Sequence, residues 1–214
     1  MRQWLFLTLA VMILFCGCAA PVKINRFDPV ADRPNLKTST RDNETYLSFE
    51  DKNYRVTAAL FEYNSVMVLP LEISNKTGSD IEPPEYSVSL HDGRDLKLIK
   101  LLKRSDLIAV RGKLRGKSYG TGLEGMAINA TVNVLMDAAN VNTEKTMIKG
   151  LEQAIHDYFS FRPVYARETR QGLLCFLVDF KLEYPLTLML RIRDEYILLR
   201  FLPQKEQNPR RKSL

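Results

Sequence analysis

The chain has 214 residues, a formal net charge of +6 and a hydrophobic fraction of 45%. This length is enough for one domain with a core of its own. The hydrophobic fraction excludes an intrinsically disordered chain and also an integral membrane protein.

An apolar run opens the chain. Residues 4–15 read WLFLTLAVMILF after a positive charge at Arg2, and the run stops at Cys16. About a dozen apolar residues are too few for a helix that spans a bilayer, which needs about twenty. The run has the proportions of the apolar region of a signal peptide.

The residues that follow the run resemble the cleavage box of bacterial lipoproteins. Gly17 stands at the position of the small residue, and Cys18 stands at the position of the cysteine that is acylated. Phe15 and Cys16 depart from the leucine and the small residue that this family usually carries there. A secretory signal cut slightly later, or an uncleaved anchor, is the alternative interpretation.

The resemblance has implications for location. It implies that residues 1–17 are a lipoprotein signal peptide and that Cys18 becomes a diacylated anchor in a bacterial membrane. Ala19 follows Cys18 where aspartate would retain a lipoprotein in the inner membrane, which implies an outer-membrane protein facing the periplasm.

The domain boundaries follow from composition. Residues 18–44 are predicted to be the lipidated N-terminus and a flexible tether, because prolines and polar residues dominate there without an apolar period. Residues 45–203 are predicted to form the folded domain. Residues 204–214 are predicted to be a basic, polar tail.

Two blocks of this domain alternate apolar and polar residues. Residues 54–60, 67–73 and 86–90 carry the pattern before the insertion, and residues 186–192 and 196–202 carry it afterwards. A period of two predicts half-buried antiparallel strands and therefore a mainly β fold.

The two blocks also resemble the immunoglobulin-like domains of periplasmic lipoproteins. The segments that carry this resemblance include LEISNKT at residues 71–77 and LHDG at residues 90–93. The resemblance implies an immunoglobulin-like antiparallel β-sandwich.

A helical, glycine-rich insertion is predicted at about residues 101–168. Ser105 and Asp106 are suited to cap a short helix, and Thr143 opens a second helix with an apolar stripe. The insertion either packs on its own domain, offers a surface to another envelope protein, or forms a separate small helical domain.

The sequence offers no recognisable catalytic, cofactor or metal site. Lys117 follows Gly116, but the spacing of a phosphate-binding loop is absent because Arg111 stands where its first glycine should be. His156 has no partner at metal-ligand spacing, and Cys175 lies within an apolar run that predicts a buried thiol. We therefore expect no enzymatic activity.

A basic stretch is the candidate membrane or partner surface. Near the surface of an anionic bilayer each basic side chain adds about 1 kcal/mol of attraction, although an ordinary solvated face is the competing interpretation. Export makes nucleic acid an improbable partner. The stretch consists of Lys100, Lys103, Arg104, Arg111, Lys113, Arg115 and Lys117.

The sequence thus predicts a non-catalytic cell-envelope lipoprotein that acts as a binding or structural module. Its predicted partners are the membrane, through acylated Cys18, and another envelope protein, through the insertion. The alternatives are a membrane-surface module whose basic stretch and insertion contact lipid directly, and an enzyme with an unrecognised site.

Overall fold

The computed structural model describes residues 24–41, 44–63, 66–93, 96–114 and 141–204. The strands are β1 (Ile24–Val30), β2 (Leu36–Arg41), β3 (Glu44–Glu50), β4 (Tyr54–Ala58), β5 (Phe61–Tyr63), β6 (Val66–Asn75), β7 (Tyr86–Asp92), β8 (Lys97–Leu102), β9 (Thr169–Leu177), β10 (Leu186–Ile192) and β11 (Glu195–Pro203). The helices are α1 (Arg104–Leu114), α2 (Val141–His156) and a 3-10 turn at Pro83–Glu85.

Eight strands close into an antiparallel barrel. The order around the barrel is β6-β5-β1-β11-β10-β7-β8-β9, and β9 returns to pair with β6. β4 pairs with the second half of β6, on the same side as β5, and β3 and β2 extend the sheet from there. The strands β2, β3 and β4 therefore form an extension outside the barrel wall.

Side chains fill the inside of the barrel. Alternate residues of each strand point inward, as the fully buried Met67, Leu69 and Leu188 illustrate. Phe176 and Phe201 are also fully buried in this core. An eight-stranded barrel has an interior just wide enough for side chains to fill, so this wall surrounds a packed core.

The two ends of the barrel differ in which loops close them. We call one the proximal end; it contains the start of β1, the β5–β6 and β7–β8 turns, the β9–β10 loop at residues 178–185 and the end of β11. Phe180 of that loop packs on the core. The opposite, distal end is filled by Tyr86, Phe159 and Phe161, whose ring centroids lie 5.6–6.5 Å apart.

Both helices pack on the outside of the barrel wall. Leu107 and Val110 of α1 and Ile155 of α2 share a buried cluster with Cys175 and Leu177 of β9. A helical insertion is therefore confirmed for residues 104–114 and 141–156, and this part of it packs on its own domain. Neither helix in the described ranges is long and apolar enough to cross a membrane.

Of the two residues predicted to cap the first helix, Asp106 makes a hydrogen bond at the start of α1, although both Ser105 and Asp106 lie within the helix rather than before it. The backbone N–H of Lys103 donates to Oδ2 of Asp106 over 2.8 Å, which satisfies one of the unpaired groups at the start of α1. Residues 115–140, with the glycine-rich stretch, lie outside the described residues.

The mainly β, antiparallel prediction is confirmed, whereas the immunoglobulin-like sandwich is not what the sheet forms. A sandwich keeps two separate sheets, but here β9 pairs with both β6 and β8, and β1 pairs with both β5 and β11. The alternation is the same in sandwiches and in barrels, because each buries one face of every strand.

The prediction of a flexible tether is wrong for residues 24–41. These residues form β1, which is a barrel strand, and β2, which edges the extension. Leu36 is the buried residue of β2, and Phe27 is buried in β1. Backbone hydrogen bonds hold both strands in the sheet. The sequence of these strands therefore shows little alternation of apolar and polar residues. Gln204, the first residue of the predicted tail, donates its backbone N–H to the Arg26 carbonyl of β1 over 2.9 Å.

Gly172 offers a test of the close packing around β9. A Cβ at this position would lie 2.6 Å from Cα of Phe159, so Gly172→Ala should lower the free energy of unfolding by about 1–3 kcal/mol. Gly150 of α2 is exposed and has nothing near its Cβ position, so Gly150→Ala should instead stabilise the chain by up to about 1 kcal/mol. Urea denaturation of both variants checks this, and equal effects would contradict it.

Candidate functional site

A groove of about 460 Å³ lies on the outer face of the sheet, between the β2–β4 extension and the end of α2. Thr57, Pro70, Leu71, Glu72, Gln171, Gly172 and Leu173 come from β4, β6 and β9, and Arg41, Tyr46, His156, Asp157 and Tyr158 complete the lining. The groove therefore collects polar side chains from five strands and from the chain that follows α2.

The position of His156 and Asp157 depends on the edge of β9. β8 pairs only with the last part of β9. The segment after α2 pairs instead with the earlier part of the same edge, through a bridge between Tyr158 and Leu173. Leu173 donates its N–H to the Asp157 carbonyl over 2.7 Å, and Phe159 donates its N–H to the Leu173 carbonyl over 2.9 Å. The absence of a side chain at Gly172 permits this approach.

A hydrogen-bonded cluster forms one wall of the groove. Nδ1 of His156 lies 2.6 Å from Oδ1 of Asp157, and Gln153 donates its side-chain amide to Oδ2 of the same carboxylate. The hydrogen bond from His156, followed by that from Gln153, lowers the pKa of Asp157 below its ordinary value. Asp157 is thus held as a carboxylate at the rim of the groove.

The facing wall carries a paired guanidinium. Arg41 lies 3.8 Å from Oε2 of Glu72 and 5.9 Å from the ring centroid of Tyr46. Thr57 lines the groove, and its hydroxyl lies 3.0 Å from that of the buried Ser48. The groove thus offers hydrogen-bonding groups of both charges rather than a field of one sign.

Cys175 is separated from this groove by burial. Its side chain is 2% exposed beneath the helices, and burial raises the pKa of its thiol to about 12. A thiol of that pKa stays protonated near neutral pH and is a poor nucleophile. The sequence-based prediction of a buried hydrophobic role for Cys175 is confirmed.

The described part of the chain contains no cluster of side chains suited to bind a metal ion. Within those ranges, no group of three or more His, Cys, Asp and Glu side chains is placed to hold a metal ion. His91, the other histidine, lies 2.8 Å from both the Ser89 hydroxyl and the Leu96 carbonyl, so local partners occupy both ring nitrogens.

The structure brings together only part of the predicted basic stretch. Lys100, Lys103 and Arg104 are exposed along the end of β8 and the start of α1, and Arg111 of α1 is half-buried. Arg104 donates from Nε to the Ile155 carbonyl over 3.0 Å, so it also joins α1 to the end of α2. Lys113 lies in α1, but its side chain is outside the described residues, as are Arg115, Lys117 and the lipidation candidate Cys18.

The sequence analysis missed the groove. Arg41 falls within the predicted tether, Glu72 within a predicted strand and Asp157 within the predicted insertion, and only the folded sheet brings them together. One signal was available, because Gly172 interrupts the start of an apolar strand and indicates close approach of another backbone.

No model of a known protein family matches this chain, and a search of curated proteins likewise finds no match. The groove, the basic side chains and the N-terminal sequence are therefore the basis on which a function is inferred below.

The Asp157 cluster makes a prediction about pH. His156→Ala should raise the pKa of Asp157 toward its ordinary value, and Gln153→Ala should raise it less. Because the folded-state pKa is the lower one, the cluster stabilises the fold above the ordinary pKa and loses that contribution as pH falls through the folded-state value. Carboxyl titration by NMR measures these shifts.

A matched control lies elsewhere on the surface. Lys76 forms a 2.6 Å ion pair with Glu50, which lowers the pKa of that carboxyl. Lys76→Ala should raise the pKa of Glu50 and leave that of Asp157 unchanged. A parent chain in which Asp157 titrates at its ordinary value would contradict the described cluster.

Proposed function

We propose that this chain is a non-catalytic lipoprotein of the bacterial cell envelope, anchored to the outer membrane by acylated Cys18. Its barrel is then a binding or structural module that faces the periplasm. The observation that carries this proposal is the apolar run at residues 4–15, which ends at Gly17 and Cys18.

The short connection to the barrel supports this role. Residues 19–23 separate Cys18 from Ile24, the first residue of β1. A fully extended chain gains at most about 3.6 Å per residue, so this connection reaches about 20 Å. Acylation of Cys18 would therefore keep the barrel close to the bilayer rather than on a long tether.

The groove supports a binding role. Packed side chains fill the barrel interior, so a partner would meet the outer surface, where the groove is of the size of small-ligand sites. The ion pair of Arg41 with Glu72 and the hydrogen bond between His156 and Asp157 favour a polar partner, such as a segment of another envelope protein. Such a partner replaces solvent at polar groups of the groove.

The exposure of Lys100 and Lys103 favours a second candidate, direct contact of the basic stretch and the insertion with anionic lipid. In that case the start of α1 would face the bilayer. Lys103 follows the distal end of β8, about 20 Å along the strand direction from the start of that strand.

Replacement of the acceptor cysteine tests the proposal. Cys18→Ser should abolish the incorporation of fatty acid and release the protein from the membrane fraction, because one hydroxyl replaces the acylated thiol. The measurement is mass spectrometry of the N-terminal peptide together with membrane fractionation.

Cys16→Ser is the matched control, since it changes a neighbouring cysteine that the proposal places in the discarded signal peptide. It should leave acylation and fractionation unchanged. A native N-terminus at any residue other than Cys18, or an unacylated protein in the soluble fraction, would refute the proposed anchor.

A further inference from the structure

Exposed apolar side chains concentrate at the proximal end of the barrel. Among the residues that the structure describes, the exposed large hydrophobic side chains are Leu96, Leu98, Tyr165, Tyr184, Tyr196 and Leu202. Four of the six, namely Leu96, Leu98, Tyr184 and Leu202, lie at the proximal end. Exposed apolar side chains gathered in one place indicate a surface that meets something other than water.

Two of these residues lie on one face of one wall. Leu98 of β8 is opposite His91 of β7, which is opposite Thr187 of β10, which in turn is opposite Arg200 of β11. Cross-strand partners share a face, and residues two apart along a strand share it too, so Leu202 points outward on the same side as Leu98.

The proximal loops form one connected rim. Gly93 donates its N–H to the Glu183 carbonyl over 2.9 Å, and Glu183 donates its N–H to Oδ2 of Asp92 over 3.2 Å. Nζ of Lys97 lies 3.4 Å from the ring centroid of Phe180. The β7–β8 turn and the loop at residues 178–185 are therefore held together.

Leu96 has an unfavourable backbone conformation. Its φ of 51° lies in the left-handed region, which disfavours residues other than glycine, and its side chain is 45% exposed. The hydrogen-bond contact of His91 with the Leu96 carbonyl, at 2.8 Å, holds the turn in place.

The first strand starts at this same end of the barrel. β1 begins at Ile24, opposite Tyr63 in the β5–β6 hairpin, and the connection from Cys18 reaches about 20 Å. The other end of the barrel is about 20 Å farther away along the strands. A bilayer that holds acylated Cys18 would therefore lie within about 20 Å of the start of β1.

We propose that the proximal end of the barrel sits in the interfacial zone of the bilayer, with Leu96, Leu98, Tyr184 and Leu202 as the side chains that enter it. This inference rests on the proposed acylation of Cys18. Tyrosine suits this zone because its ring is apolar and its hydroxyl stays with water.

The contact is apolar rather than electrostatic. Acidic side chains, Asp179 and Glu183, alternate with Lys181 in the rim loop, and Lys97 adds one further positive charge. A rim of mixed charge has little net electrostatic attraction to anionic lipid. Contact of the proximal end with the bilayer should therefore not depend on the charge of the lipid. This separates the inference from the second candidate above, which requires anionic lipid at the start of α1.

The test places one fluorescent label at either end of the same wall. Leu98 is 61% exposed at the proximal end and Tyr196 is 62% exposed near the distal end, so Leu98→Cys and Tyr196→Cys are matched sites. The full chain, purified with its lipid, is labelled with an environment-sensitive maleimide and reconstituted into phosphatidylcholine vesicles with brominated acyl chains. The parent chain, with Cys175 buried, is the blank.

The expected result is a blue-shifted emission and quenching by the brominated lipid at position 98, with neither effect at position 196. A label at Leu202→Cys should behave as that at position 98. Equal quenching at both ends, quenching at position 196 alone, or quenching at position 98 that requires anionic lipid would overturn the proposal. So would a label at position 98 that is shielded from aqueous iodide but not quenched by lipid, which indicates a protein partner.

The same experiment distinguishes failure of the proposed acylation of Cys18 from failure of the proposed contact between the proximal end and the bilayer. If the purified chain carries no fatty acid and does not float with the vesicles, the proposed function fails, and the orientation that rests on it fails too. If the chain is acylated and floats, but position 98 is not quenched, only the seating of the proximal end is refuted.

Discussion

The pairing of β6 with β9 is the constraint on which the rest of the structure depends. It runs from Val66 opposite Leu177 to Ser74 opposite Thr169 and joins parts of the chain that the insertion separates. The entropy of closing so long a loop rises only slowly with length, so a continuous ladder with a buried face can offset it. Met67 lies inside the barrel and Cys175 beneath the helices, so the inner face and one part of the outer face of this ladder are covered, whereas the other part of the outer face lines the groove.

One strand thereby positions three different surfaces. The inward side chains of β9, such as Leu174 and Phe176, belong to the barrel core, whereas Leu177 supports the helices. Gln171 lines the groove, and Gly172 admits the segment that presents Asp157. After its last residue, β9 continues into the loop of the proximal rim, so the groove and the proposed lipid-facing rim are fixed to the same ladder.

The sequence predicted the strands that bury one face and missed the others. Strands such as β6 and β10 alternate clearly because half of their side chains enter the core, but β2 buries only Leu36 and left no period to detect. Barrel closure was not predictable either, because alternation shows which face is buried and not which strand is the neighbour. The groove was not predicted either, because its residues Arg41, Glu72 and Asp157 are far apart in the sequence and come together only in the folded sheet. Cys18 lies outside the described residues, and its acylation stays a prediction.

A cross-link within the β6–β9 ladder tests barrel closure most directly. Val68 is opposite Cys175, and residues directly opposite in an antiparallel pair have Cα atoms about 4.5–5.5 Å apart, which a disulfide can bridge. Val68→Cys should therefore form a disulfide with Cys175 on mild oxidation, detected by mass spectrometry of the unreduced digest. Pro70→Cys, on the same face but opposite Leu173, should not. A cross-link from position 70 in place of position 68 would contradict the register and the closed barrel.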